Sequence, residues 1–132
     1  MAEIRISDLS IGDWVKFESN GRYMPMMVFE ISSYRKEIVG ETTFGRLSFK
    51  EEEISPIPLT PEILEKNGLC VVEEDADFSE YELFGSENFS IFHTKGTLHY
   101  RLETSQASVV CWNVHQLQHA LRLASVEKEI VL

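Results

Sequence analysis

Apolar and polar residues alternate through Trp14-Val15-Lys16-Phe17-Glu18, and the alternation stops at Asn20-Gly21. This predicts a half-buried strand over 14–18 closed by a tight hairpin, because a two-residue turn needs positive φ at both centres and Asn-Gly accepts it. With that turn, Val15 faces Met26 and Phe17 faces Met24 on one side of the sheet. The phase then blurs across Met26-Met27-Val28-Phe29 and Ile31, which supply apolar groups to both faces, so the second strand must bend. Pro25 has no N–H for a ladder and marks an edge or bulge near this change of phase. Short strands are expected at 37–40 and 44–49, broken by Gly40 and Gly45, with Glu51-Glu52-Glu53 as a solvated turn and 54–59 extended by its prolines. Five short strands in this span predict a small, curled SH3-like barrel, an open twisted sheet being the alternative.

Thr60-Pro61-Glu62-Ile63-Leu64-Glu65-Lys66-Asn67-Gly68 predicts a short helix over 60–67. Thr60 caps it, Pro61 suits its first turn, and Gly68 takes the left-handed closing position. Strand character resumes at 81–84. Beyond it, Lys95-Gly96 predicts a second hairpin that places Phe89, Ile91, Leu98, Tyr100 and Leu102 on one face, with His93 at its margin. Ser90, Phe92, His99 and Arg101 then take the other face. A strand at 108–112 leads into a helix over 113–124. On this helix Val114, Leu117, Leu121 and Ala124 form an apolar stripe, while His115, His119 and Leu123 lie nearly opposite. Leu117 and Leu121 should pack on the face made by Ile91, Leu98, Tyr100 and Leu102. Leu123 should be covered by the first half of the chain, or else meet a second copy or a partner. Residues 127–132 should return as an edge strand.

The expected class is therefore α+β: a small curled SH3-like β lobe over 1–59, then an antiparallel sheet covered by a C-terminal helix over 60–132. The two lobes are independent domains or share one core. A chain of 132 residues with 43% apolar and 26% charged residues can bury a core without a disulfide or a metal. No apolar run approaches the roughly 18 residues of a membrane span, and Met1-Ala2-Glu3-Ile4-Arg5 does not resemble a signal peptide. Cys70 and Cys111 form no CxxC, so they read as reduced, mostly buried thiols of a cytoplasmic protein.

Charge narrows the function classes. The net charge is −10: residues 1–59 hold seven Lys/Arg against ten Asp/Glu, and residues 60–132 hold five against twelve. Phosphate binding wants clustered Lys and Arg, so direct nucleic-acid binding is not expected. The acidic stretch Glu73-Glu74-Asp75-Ala76-Asp77 lacks the ligand alternation of a calcium loop and reads as a solvated loop. No phosphate loop, dinucleotide fingerprint or nucleophile elbow occurs. His115 and His119 stand at the i, i+4 spacing that lets two imidazoles share a zinc ion, but Gln116 stands where HExxH has its general base. No cofactor and no catalytic residue is assigned, and this pair is the weak metal candidate. Trp14, Tyr23, Tyr34 and Phe44 could display an aromatic surface for a peptide or extended segment.

Three stretches resemble signposts of a family of small proteins without an assigned activity, found in gut Bacteroides-type bacteria and their prophages. They are Ile11-Gly12-Asp13-Trp14-Val15, then 57–68 (IPLTPEILEKNG), then Val114-His115-Gln116-Leu117-Gln118. The resemblance implies a cytoplasmic accessory protein of phage or mobile-element origin. Family members often carry a glycine after the last helix, where this chain has Ala124-Ser125. The resulting expectation is a non-enzymatic protein-interaction module with Trp14, Tyr23, Tyr34, His115, His119 and Leu123 as candidate binding residues, self-association being open to it and no membrane contact expected. The alternatives are a small metal-dependent hydrolase built on His115 and His119, and an acidic protein that blocks a nucleic-acid-binding site on a host protein.

Overall fold

A computed structural model describes residues 4–83 and 88–132. The chain is α+β, with two antiparallel sheets, and divides into two compact units, Met1–Ile57 and Pro58–Leu132. Pro58 and Leu59 belong to the second unit: Pro58 bridges Asn113, and the Leu59 N–H donates to the Trp112 carbonyl.

The first unit is a five-stranded sheet of β1 (Trp14–Ser19), β2 (Arg22–Ser32), β3 (Glu37–Thr42), β4 (Gly45–Lys50) and β5 (Ile54–Ser55), in the order β4-β3-β2-β1-β5. Asn20 and Gly21 hold φ of 52° and 77°, and the hairpin they close pairs Val15 with Met26 and Phe17 with Met24, the register expected from the sequence. The β2–β3 ladder runs only from Met27 onward and shifts by a bulge between Val28 and Glu30. Pro25 lies before that ladder begins, so its missing N–H costs no bond to β3. The bulge is how one long strand serves two faces, since an extra residue bends the strand and reverses its side-chain phase. A 3₁₀ turn over Glu51–Glu53 precedes β5, so the acidic run does turn the chain. Glu53 accepts from its own turn at the Lys50 N–H, and Glu51 accepts from the Ile6 N–H at 3.0 Å. This meander with β5 returning beside β1 has the SH3-like strand order. Among the described residues no β4–β5 pairing closes it, so the sheet is curled and open.

Its core gathers Ile4, Ile6, Leu9, Val15, Phe17, Met26, Val28, Ile38, Phe49 and Ile54. Gly40, expected from the sequence to break a strand, sits inside β3 instead. The Met26 side chain occupies the place a Cβ at Gly40 would take.

The second unit holds α1 (Pro61–Lys66), β6 (Leu69–Glu74), β7 (Phe78–Leu83), β8 (Ser90–Thr94), β9 (Tyr100–Glu103), β10 (Ser108–Cys111) and α2 (Val114–Leu123). The sheet order is β10-β9-β8-β7-β6. Helix α1 is capped as its sequence implies: the Ile63 N–H donates to Thr60 Oγ1, and Gly68 takes φ 83°. Strand β6 is not foreshadowed by the apolar pattern, and the acidic stretch is its end rather than all loop: Glu73 and Glu74 pair with Glu80 and Ser79. Only the turn after it is loop, closed by Asp75 accepting from the Asp77 and Phe78 N–H groups. The strand expected over 81–84 is described over Phe78–Leu83, and Phe84 lies outside the described residues.

The second hairpin differs from expectation. Ile91 pairs with Leu102 and His93 with Tyr100, two residues out of the register that a Lys95-Gly96 two-residue turn would set. The Lys95 N–H donates to the Asp77 carbonyl, so Lys95 prolongs the β7 ladder, and only Gly96 has positive φ. A two-residue turn of the favoured kind needs positive φ at both centres, and Lys resists it. The loop widens, and Leu98 stands 79% exposed on it instead of lining the core. Because side chains alternate with period two, a shift of two preserves the faces. Ile91, Tyr100 and Leu102 stay buried with Phe89, Val114, Leu117, Ala120 and Leu121, while Arg101 is exposed.

Residues 127–132 form no strand; instead the Val131 backbone pairs with the Asn67 side chain. Leu123 is 80% exposed at the end of α2.

Candidate functional site

The candidate residues fall in both units. In the first, β1 and β2 put Trp14, Lys16 and Glu18 on the outer face, opposite Met27, Pro25 and Tyr23. Lys16 lies diagonal to Tyr23, and its Nζ stands 4.4 Å from the ring centroid. Across the same face Met27 pairs with Glu41 and Glu41 with Arg46, which brings the Arg46 guanidinium 3.7 Å from the Phe29 ring centroid. A cation over an aromatic face is worth about 0.5–1 kcal/mol at an exposed position, enough to bias each ring towards one orientation. Tyr23 is 60% exposed, Phe29 is 38% exposed and Trp14 is half-buried. Tyr34 is 98% exposed on the β2–β3 turn, and Phe44 is exposed on the β3–β4 turn, so neither shares this face.

Lys16, Phe29 and Arg46 are the members sequence reasoning missed. Lys16 was within reach, because the Asn20-Gly21 register alone makes it a diagonal neighbour of Tyr23. Arg46 was not. Its place over Phe29 depends on three strands, β2, β3 and β4, lying in register.

In the second unit His115 is buried rather than on an open side with Leu123, and His119 is half-buried. Their ring centroids are 6.0 Å apart with an edge-on geometry. Among the described residues no group of three or more His, Cys, Asp and Glu is gathered to hold a metal ion. Gln116 instead caps its own helix. Its Oε1 accepts the Trp112 and Asn113 N–H groups, at 2.7 and 3.1 Å, at the start of α2. Glutamine at this third helical position satisfies donors that the first turn leaves open. His93 stacks on Tyr100 at 4.3 Å and makes a 2.9 Å hydrogen bond with the Thr97 carbonyl, which anchors the widened loop.

Cys111 is buried, and desolvation pushes its thiol up to about 12. Cys70, expected to be mostly buried, is exposed on the edge strand β6. A groove of about 450 Å³ runs between the β9–β10 turn and the end of α2, lined by Thr104, Gln106, Val109, Ala120 and Leu123 among others, none of them titratable. No helix among the described residues is long and apolar enough to cross a membrane. What the fold defines is an α+β chain of two antiparallel-sheet units, the first displaying cation-backed aromatics. No protein-family model, curated protein or solved structure matches the chain.

Proposed function

We propose that the chain is a non-enzymatic protein-interaction module, an accessory protein of the phage or mobile-element kind, and that it grips a protein partner with the outer face of its first sheet. The observation that supports this is the pairing of Lys16 with Tyr23 and of Arg46 with Phe29 beside Trp14. Aromatic residues and arginine dominate the energetics of protein interfaces, because they offer large contact area for little lost freedom. Rings already biased towards one orientation by a cation lose somewhat less on binding. Base stacking is the competing use of such a face, but it needs a basic groove, and this unit carries a surplus of acid.

Site-directed photo-crosslinking tests the proposal. A photoreactive residue at position 23 should capture a protein partner that one at position 34 does not. With that partner purified, Trp14→Ala and Tyr23→Ala should each weaken binding by about tenfold, a cost of about 1.4 kcal/mol. Capture that is equal at both positions, or affinity unchanged in both variants, would remove the proposal.

A further inference from the structure

The second sheet has a buried face and an open one. Ser79, Tyr81, Ile91, Tyr100 and Leu102 are buried on the first. On the other, strand pairing sets Glu73, Glu80, Phe92, Arg101 and Val110 in one row across all five strands, and none of them is buried. Phe78 stands beside Phe92, with ring centroids 6.2 Å apart. Trp112 follows Val110 by two residues, and both are about half exposed. Phe78, Phe92, Val110 and Trp112 thus give the open face an apolar ridge.

Charge beside the ridge is unbalanced. Between Lys66 and Lys95 the sequence has no Lys or Arg and seven Asp or Glu. Glu73 and Glu80 are direct cross-strand partners, and Glu82 follows Glu80 by two residues on the same face. Like charges placed directly opposite each other destabilise a sheet. The nearby bases are engaged elsewhere: Arg101 pairs with Glu103 at 3.3 Å and Lys95 with Glu74 at 3.6 Å. Among the described residues Glu73, Glu80 and Glu82 form no ion pair, and no group of three or more His, Cys, Asp and Glu is gathered to hold a metal ion. The carboxylates therefore suit several separate cations carried on one partner, set next to an apolar contact.

We propose that the open face of the second sheet docks a basic amphipathic helix of a partner protein. A sheet face offers side chains rather than backbone groups, so its occupant must arrive with its own backbone bonds made, as a helix does. The apolar stripe of that helix lies on Phe92, Val110 and Trp112. Its Lys and Arg side chains run their stems along Phe78 and Phe92 and bring their charges to Glu73, Glu80 and Glu82 on β6 and β7. Binding then relieves the repulsion between Glu73 and Glu80 that the free chain carries. Charge decides against a second copy, which brings the same carboxylates. This surface lies in the second unit and is tested separately from the face of the first sheet.

The test titrates the full chain with a synthetic helical peptide that carries leucines on one stripe and lysines beside it, followed by backbone amide shifts. Saturable binding should move the Glu80, Phe92 and Val110 amides and should weaken as salt rises. The same peptide with glutamate at each lysine should not bind. Glu73→Gln combined with Glu80→Gln should weaken binding about tenfold. That double variant should also raise the urea midpoint of the free chain, because it removes the facing like charges. Glu127→Gln combined with Glu129→Gln changes the net charge equally at exposed positions outside the sheet, and should leave affinity unchanged. A lysine peptide that does not bind, or shifts confined to other parts of the chain, overturns the proposal. Equal weakening by the two double variants also overturns it, since attraction to net charge alone then explains the binding. So does calcium that moves the same amides without peptide, which assigns the carboxylates to a metal ion.

Discussion

The side-chain amide of Asn67 and the backbone of Val131 are joined by a reciprocal pair of hydrogen bonds, Nδ2 to the carbonyl at 2.8 Å and the N–H to Oδ1 at 2.7 Å. The second Nδ2 hydrogen goes to the Ile63 carbonyl at 2.8 Å, so one buried amide closes α1 and holds the C-terminal segment as a strand would. Asn67→Ala should cost about 1–3 kcal/mol in urea unfolding, since it removes the partners of the Val131 N–H and carbonyl, while the Ile63 carbonyl keeps the Asn67 backbone N–H. Asn67→Asp should cost more at neutral pH, because a carboxylate cannot donate to either carbonyl, and part of that loss should return in acid. An aspartate variant as stable as the parent would show that the clamp is not needed.

At Gly40 a methyl group would meet the Met26 side chain within the first core. Gly40→Ala should therefore destabilise by about 1–3 kcal/mol through overpacking. Combining it with Met26→Ala should recover part of the loss in a double-mutant cycle. Additive losses would mean that the two positions do not compete for space.

The register of the second hairpin separates two leucines. Leu121 is buried and Leu98 is exposed. Leu121→Ala should cost about 2–5 kcal/mol, whereas Leu98→Ala should stay within about 0.5 kcal/mol. Comparable losses at the two positions would restore the narrower turn.

The two thiols should differ in reactivity. In native protein a disulfide reagent should modify Cys70 rapidly and reach Cys111 only after unfolding, since the first is exposed and the second is buried with its thiol held protonated. Cys70→Ser should remove the fast reaction. Two equally fast thiols would contradict the buried position of Cys111.

Burial pushes the Tyr100 hydroxyl up to about 12, chiefly by desolvation, with Tyr81 and Glu62 adding repulsion. Cys111 is raised to about the same value. Both groups keep their protons longer in the folded chain than in the unfolded one. Their contribution is thus complete below about pH 9 and is lost as pH rises toward about 12. Urea midpoints should fall across that window, and Tyr100→Phe should flatten the decline. A midpoint independent of pH over the window would show that these groups are not buried in the folded state.

What the sequence determined by itself was local. Asn20-Gly21 sets the first hairpin because both residues accept positive φ, and the caps of α1 need only neighbours within one turn. The buried faces of both sheets also follow from the sequence, since an alternation of period two is unchanged by a shift of two residues. Tertiary structure decided the rest. The Lys95 backbone bonds to Asp77 on another strand, and that distant partner fixes where the second turn can close. Val131 finds Asn67 sixty-four positions away, where no periodicity points. Arg46 reaches Phe29 across β3, from a strand two places away in the sheet. Each of these depends on groups far apart in the chain, and their pairing is settled by how the strands stack rather than by the residues beside them.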